Sequence, residues 1–335
     1  MFPINKENSY GKFREKVIGV DVSLKMLTLN YKNSEGLMIV CNIANLKKEI
    51  LSTLKSFDKE EYKIIVEATG AYSSKILYFS YELGFEISMV NPVSIKRYGE
   101  LKNHISKTDA EDSRLIREYG EQVEFKPYTP KSMTLEYLDQ ELNLWHDLEQ
   151  EKKKYNLKLH ALRQKALCNK EIIKHYEQII RNHECEIKKV MLRMSKLQNE
   201  ELKRDVDLLS SISGIGEKTA LLLLVATNGF KNFVSAKQIS KYFGVAPRLY
   251  ESGTKKKSLG KCRTTKKYVR SILYVCSWTA MRFNSQCKEL YERILLKNKS
   301  KKVALIAVCN KLLRQCFGIM KSKIPYQQNY LQIEN

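Results

Sequence analysis

Apolar positions between residues 16 and 120 fall in short runs whose period changes between two and nearly four. Val17–Val22, Met26–Tyr31 and Leu37–Ile43 predict three strands. Ser-Leu-Lys separates the first two and Asn33-Ser-Glu-Gly36 the next two, which predicts an antiparallel meander. Ala44–Ser56 predicts a helix and Tyr62–Val66 a buried fourth strand. Ser73–Leu83 predicts a helix closed at Gly84, and Glu86–Val90 a fifth strand stopped by Asn91-Pro92. An α/β unit follows from this alternation.

The pattern then changes. No Gly or Pro occurs between Pro130 and Gly214. Leu135, Leu138, Leu142, Trp145 and Leu148 repeat at three and four, and a second periodic stretch runs from Ile172 to Leu197. Long helices are predicted, and the spacing leaves open an antiparallel coiled-coil arm or a dimer contact. Leu208–Ala220 has the shape of a helix-hairpin-helix element. Its Gly214-Ile-Gly216 turn is either an interhelix turn or a set of amides for a phosphate. Leu249–Arg263 predicts a polar, basic loop, Lys266–Phe283 a helix, and the tail after Lys323 little order. The expected division is 14–128, a helical arm over 131–205, and a mostly α-helical unit over 206–323.

Charge sharpens the picture. The formal net charge is +22, and residues 201–335 hold 26 Lys and Arg against 8 Asp and Glu. Such an excess is the footprint of a polyanion, so nucleic acid is the expected partner. The eight cysteines form no Cys-x-x-Cys pair, which predicts reduced, mostly buried thiols and argues against a zinc ribbon. No secretory signal is visible and the longest apolar run, Ala220–Ala226, is too short to cross a bilayer. The expectation is a cytoplasmic protein with no membrane partner.

Four acids carry the candidate chemistry: Asp21 in the first strand, Glu67 at the end of the fourth, and Asp109 and Asp112, three apart in Lys107-Thr-Asp-Ala-Glu-Asp112. A helix puts the last two on one face, with Glu111 turned away. Hard divalent cations take carboxylate oxygens, and four carboxylates can hold a pair of them. An acid inside Val17-Ile-Gly-Val-Asp-Val22 is costly to bury unless paired or metal-bound. Asp109 and Asp112 by themselves read equally well as solvated surface acids, and Lys107 as a surface lysine or a phosphate contact. Ser252 precedes a glycine amid Arg248, Lys255, Lys256, Lys257, Lys261 and Arg263. Chemistry alone favours a turn serine there.

The order Ile18-Gly-Val-Asp-Val-Ser23, Val66-Glu-Ala-Thr-Gly70, Val90-Asn-Pro92 and Lys107–Asp112 resembles the DEDD domain of transposases of the insertion sequence 110 family and related site-specific invertases. Ser213-Gly-Ile-Gly216, Phe243-Gly-Val-Ala-Pro247, Ser252-Gly253 and Arg270 extend the resemblance over residues 16–320. It implies a ribonuclease-H-like (RuvC-like) N-terminal domain, a coiled-coil arm and a C-terminal transposase domain. It implies that Asp21, Glu67, Asp109 and Asp112 bind Mg²⁺, with Mn²⁺ as a substitute, and that Ser252 is the nucleophile that joins a DNA strand. Lys107, Arg248, Lys255, Lys256, Lys257, Lys261, Arg263 and Arg270 are then the nucleic-acid contacts. The resemblance further implies donor and target DNA, an element-encoded bridge (guide) RNA, a dimer or tetramer, and a bacterial protein at the nucleoid when it acts. The family often has a Gly-Asn pair shortly before the arginine at 270; here the run is Thr264-Thr-Lys-Lys-Tyr268. The rival readings are a metal-dependent RuvC-like nuclease or junction resolvase with Ser252 inert, and a non-catalytic nucleic-acid-binding protein.

Overall fold

The computed structural model describes residues 16–103, 108–252, 255–261 and 267–328, with 248–252 and 255–261 as backbone only. Lys107 and Arg263 lie outside the described residues. The chain divides into two compact units, with the border between Pro130 and Lys131.

The first unit is built on β1 (Lys16–Val22), β2 (Met26–Lys32), β3 (Met38–Ala44), β4 (Tyr62–Glu67) and β5 (Ile87–Val90), in the order β3-β2-β1-β4-β5. The three-strand meander is antiparallel, while β4 and β5 join it in parallel. Its helices are α1 (Lys47–Leu54), α2 (Ser74–Glu82), α3 (Pro92–Leu101) and α4 (Asp109–Gln122). Alternation along β1 and β4 sorts the side chains. Ile18, Val20, Ile64 and Val66 share a cluster with Ile50 and Leu54 of α1 and Ile76 and Leu77 of α2. Val17 and Ile65 cluster on the other face with Ile95 of α3 and Leu115 and Ile116 of α4. Both faces of the parallel pair are therefore covered, as the unbroken apolar runs require. Sequence reasoning took Asn91-Pro92 only as a stop. The Asn91 side chain accepts the Val93 amide at 2.9 Å and Pro92 opens α3, which is the start signal of a helix.

The second unit contains α5 (Met133–Arg163), α6 (Lys170–Leu197), α7 (Glu200–Ser210), α8 (Glu217–Thr227), α9 (Ala236–Tyr242), β6 (Pro247–Ser252), β7 (Lys255–Lys261), α10 (Lys267–Phe283), α11 (Ser285–Leu295) and α12 (Lys301–Ser322). Helices α5 and α6 form an antiparallel hairpin, pinned by Arg193–Glu141, His183–Glu151 and Arg163–Glu177. Leu138, Leu142, Val190 and Met194 at its base share one core with α7 through α12, so residues on both sides of 205 belong to a single core. Leu159, Ile180 and Ile187 are buried further along the hairpin, outside that core. Helix α8 is at the centre, apolar on every side. Helix α12 is long and apolar enough to cross a membrane, but its Val308, Leu312, Leu313, Cys316 and Ile319 are buried in this core.

Three sequence expectations change here. The basic loop after Arg248 is an antiparallel hairpin of β6 and β7, with Ser252 opposite Lys255. Strand β7 is too rich in lysine, and β6 too mixed, to show apolar alternation, although two residues beginning with Gly separate them. The tail beyond Lys323 is anchored: the Tyr326 amide donates to Ser211 Oγ at 2.8 Å and its hydroxyl to Asn284 Oδ1 at 3.1 Å. The cysteines are less buried than expected. Cys287, Cys309 and Cys316 are buried, whereas Cys168 and Cys185 are exposed. Burial pushes the Cys287 and Cys309 thiols up to about 12, so both stay protonated.

Between α7 and α8, Gly214 has φ +110° and a Cβ there would lie 2.7 Å from Ala280 Cβ on α10. Packing and backbone conformation both demand glycine. We expect Gly214→Ala to destabilise the second unit by about 2–4 kcal/mol, read as a lower denaturation midpoint.

Candidate active site

Strand register builds the site. Lys16 to Val20 of β1 pair with Tyr62 to Val66 of β4, ending at Val20 and Val66. One step further along both strands stand Asp21 and Glu67. Each is an even number of residues from the positions that face α3 and α4, Val17 and Ile65. Asp21 and Glu67 are thus neighbours on one face, at the carboxyl ends of adjacent central strands, about 5 Å apart in backbone terms. Loops follow both strands at this edge, which is where open α/β sheets place their ligands. The Asp21 carboxylate also accepts the Val22 amide at 2.9 Å.

Helix α4 brings the second pair. A Cβ on Gly19 would lie 2.4 Å from the Arg117 amide nitrogen and the Ser113 carbonyl oxygen, so the backbone of α4 crosses β1 there in direct contact. Gly120 lies against Ile65 and Val17. Moving up the helix from 113 to 120 means moving down the strand from Gly19 to Val17, so α4 runs opposite to β1. Its N-terminal turn is carried toward the edge that bears Asp21 and Glu67. Thr108 fixes where that turn begins, accepting the Glu111 amide at 3.3 Å. Thr108-x-x-Glu111 is a capping-box sequence that could have located the helix start in advance. Asp109 and Asp112 lie in this first turn, where the helix dipole favours negative charge. Glu111 bonds sideways to Arg114 at 2.7 Å.

Buried Arg117 holds α4 down. Its Nε donates to Asn30 Oδ1 on β2 at 2.8 Å and its Nη1 to Glu121 at 2.6 Å. Sequence reasoning missed this residue, because an arginine in a helix of mixed charge carries no signal of burial.

The carboxylates are not drawn into a closed ligand set. Among the described residues no three His, Cys, Asp or Glu side chains gather as a metal site would need. What the structure supplies is hard-oxygen donors, two side by side and two on a helix start directed to the same edge. Asp21, Glu67 and Asp112 are partly exposed and Asp109 is exposed, so the edge is open to solvent.

Ser252 belongs to the second unit, as the last residue of β6. Arg248, Lys255, Lys256, Lys257 and Lys261 share the β6–β7 hairpin with it. Arg270 lies in the first turn of α10, partly buried.

Comparison with known proteins adds independent information. Residues 18–165 match a DEDD transposase domain of the IS110 type, and residues 206–292 match the model described as "Transposase IS116/IS110/IS902 family". Pilin gene-inverting proteins of Moraxella bovis and Moraxella lacunata are each 31% identical over 274 residues, covering 79% of this chain and 82% of theirs. A 43.6 kDa insertion element IS110 protein of Streptomyces coelicolor is 23% identical over 119 residues, 36% of this chain and 29% of its own.

Proposed function

The chain belongs to the IS110 family of transposases and is a DNA recombination enzyme, and from that premise we propose that it cuts and rejoins the strands of a mobile element through Ser252. Membership implies the ribonuclease-H-like fold for the first unit and dependence on a divalent metal. The observation that carries the finer reading is the placement of Asp21 and Glu67 side by side, with the first turn of α4 directed to the same edge. These acids fit a hard cation by donor type, and in our reading they hold Mg²⁺, two ions at full occupancy, with Mn²⁺ able to substitute. The cation, when bound, supplies charge stabilisation at the reacting phosphate.

The remaining steps belong to the chain. Ser252 Oγ forms a bond to phosphorus as the deoxyribose oxygen leaves, so the broken strand stays joined to protein and its phosphoester energy is kept. Attack by a hydroxyl of the new strand reverses the exchange and frees the serine. Lys107, Arg248, Lys255, Lys256, Lys257, Lys261, Arg263 and Arg270 hold phosphates of the nucleic acid. We assign sequence choice to an element-encoded bridge RNA that pairs with donor and target DNA, which suits a protein whose charge reads backbone. Several cuts must be held together, so a dimer or tetramer is expected, with the α5–α6 hairpin acting as a coiled-coil contact along its length below the basic tip. The place of action is the bacterial cytoplasm, at the nucleoid.

The test is Asp21→Asn, which keeps size and removes charge. Recombination should fall by about 10³-fold, the equivalent of roughly 4 kcal/mol, with the fold unchanged by circular dichroism. Unaltered recombination would sink the assignment of the acids.

A further inference from the structure

The near-neutral balance of residues 1–200 conceals a separation of charge along the α5–α6 hairpin. Residues 133–151, at its base, hold six Asp and Glu and no Lys or Arg; residues 152–175, around its tip, hold eight Lys and Arg and one Glu. The tip extends about 22 Å beyond Leu148, the last α5 residue packed on the core. Lys152 and Arg163 are paired with Glu149 and Glu177. The other six, Lys153, Lys154, Lys158, Lys165, Lys170 and Lys174, are exposed and have no carboxylate partner among the described residues. Lys154 and Lys158 share one helix face, and Lys170 and Lys174 another, so the charge surrounds the tip.

Two occupants could neutralise it. A second hairpin offers few free acids, because Asp139, Glu141, Glu149 and Glu151 are each engaged within their own chain by Lys131, Arg193, Lys152 and His183. Two tips together would repel. A polyanion meets both conditions, and lysines, as flexible point charges, suit phosphate rather than base edges.

We propose that the tip of the α5–α6 hairpin is a second, sequence-independent contact for the phosphate backbone of duplex DNA, apart from the centre at Ser252. The choice of DNA rests on the recombination reading above; the demand for a polyanion does not.

The experiment uses the full chain with Lys154, Lys158, Lys170 and Lys174 all changed to Gln, and a control with Lys48, Lys55 and Lys59 of the first unit changed to Gln. Affinity for a duplex is measured from 50 to 200 mM salt. The salt slope of the tip variant should fall by about 3 to 4, near 0.9 for each phosphate no longer neutralised, and that of the control should not move. Changing the same four to Arg should restore the slope. A photo-cross-linking residue in place of Leu167, which is 91% exposed at the tip, should capture duplex DNA. An unchanged slope with capture of a second protein copy, or capture of RNA alone, overturns the proposal. A wild-type chain that binds no duplex overturns the recombination reading itself.

Discussion

Ser252→Ala is expected to abolish strand transfer, by about 10⁴-fold or more, while duplex binding stays within about twofold. The asymmetry follows from what the change removes. Alanine has no oxygen to bond to phosphorus, so no protein–DNA ester can form. The charge proposed to attract DNA lies in Arg248 of β6 and the lysines of β7, which the substitution leaves in place. The measurement is a DNA–protein adduct that survives denaturation, mapped by mass spectrometry to Ser252 in the wild type and missing in the variant. Cleavage that persists in the variant would mean that the acidic edge hydrolyses DNA by itself. The chain would then be a nuclease or resolvase in which the serine is a hairpin residue.

The second large effect is expected at a glycine two residues from Asp21 that has no side chain to offer a substrate. Gly19→Ala places a Cβ 2.4 Å from backbone of α4 on two sides, at the Arg117 nitrogen and the Ser113 oxygen. No rotamer relieves that overlap, so the helix must lift from β1. The Arg117–Asn30 bond at 2.8 Å, reaching from α4 to the residue paired with Gly19, opposes the movement. A loss of about 3 kcal/mol or more from the first unit is expected. Because Asp109 and Asp112 ride on the same helix, recombination should fall by about 10²-fold even where the variant remains folded, the usual effect of a misplacement near 1 Å. Leu54→Ala is the control: Leu54 is buried on α1, on the opposite face of the sheet, and its loss costs about 2–5 kcal/mol without touching α4. Equal activity losses in the two variants at permissive temperature would show that stability, and not the placement of α4, is what Gly19 protects.

The first unit was readable because its elements obey one period each. The runs at Val17–Val22 and Tyr62–Val66 are apolar on both faces, and the meander has turn residues at its corners. That allowed the strands to be located along the chain and Asp21 and Glu67 to be assigned to two of them; their pairing as neighbours came with the register. What the pattern hid depends on long-range partners. Gly19 reads as a strand glycine until α4 is seen against it, and Arg117 as one more surface charge until Asn30 is. The β6–β7 hairpin was hidden for a different reason: its two segments contain few apolar residues, so the sequence offers no alternation to detect. Tyr326 was obscured by its polar neighbours, Gln327 and Gln328.

The cores of the two units have no residue in common, one ending at Ile116 and the other starting at Leu138. A buried substitution in either unit therefore removes packing from that unit's own cluster. Gly19 and Gly214 accordingly probe one core each, the first through the contact of α4 with β1 and the second through the contact of the α7–α8 turn with α10.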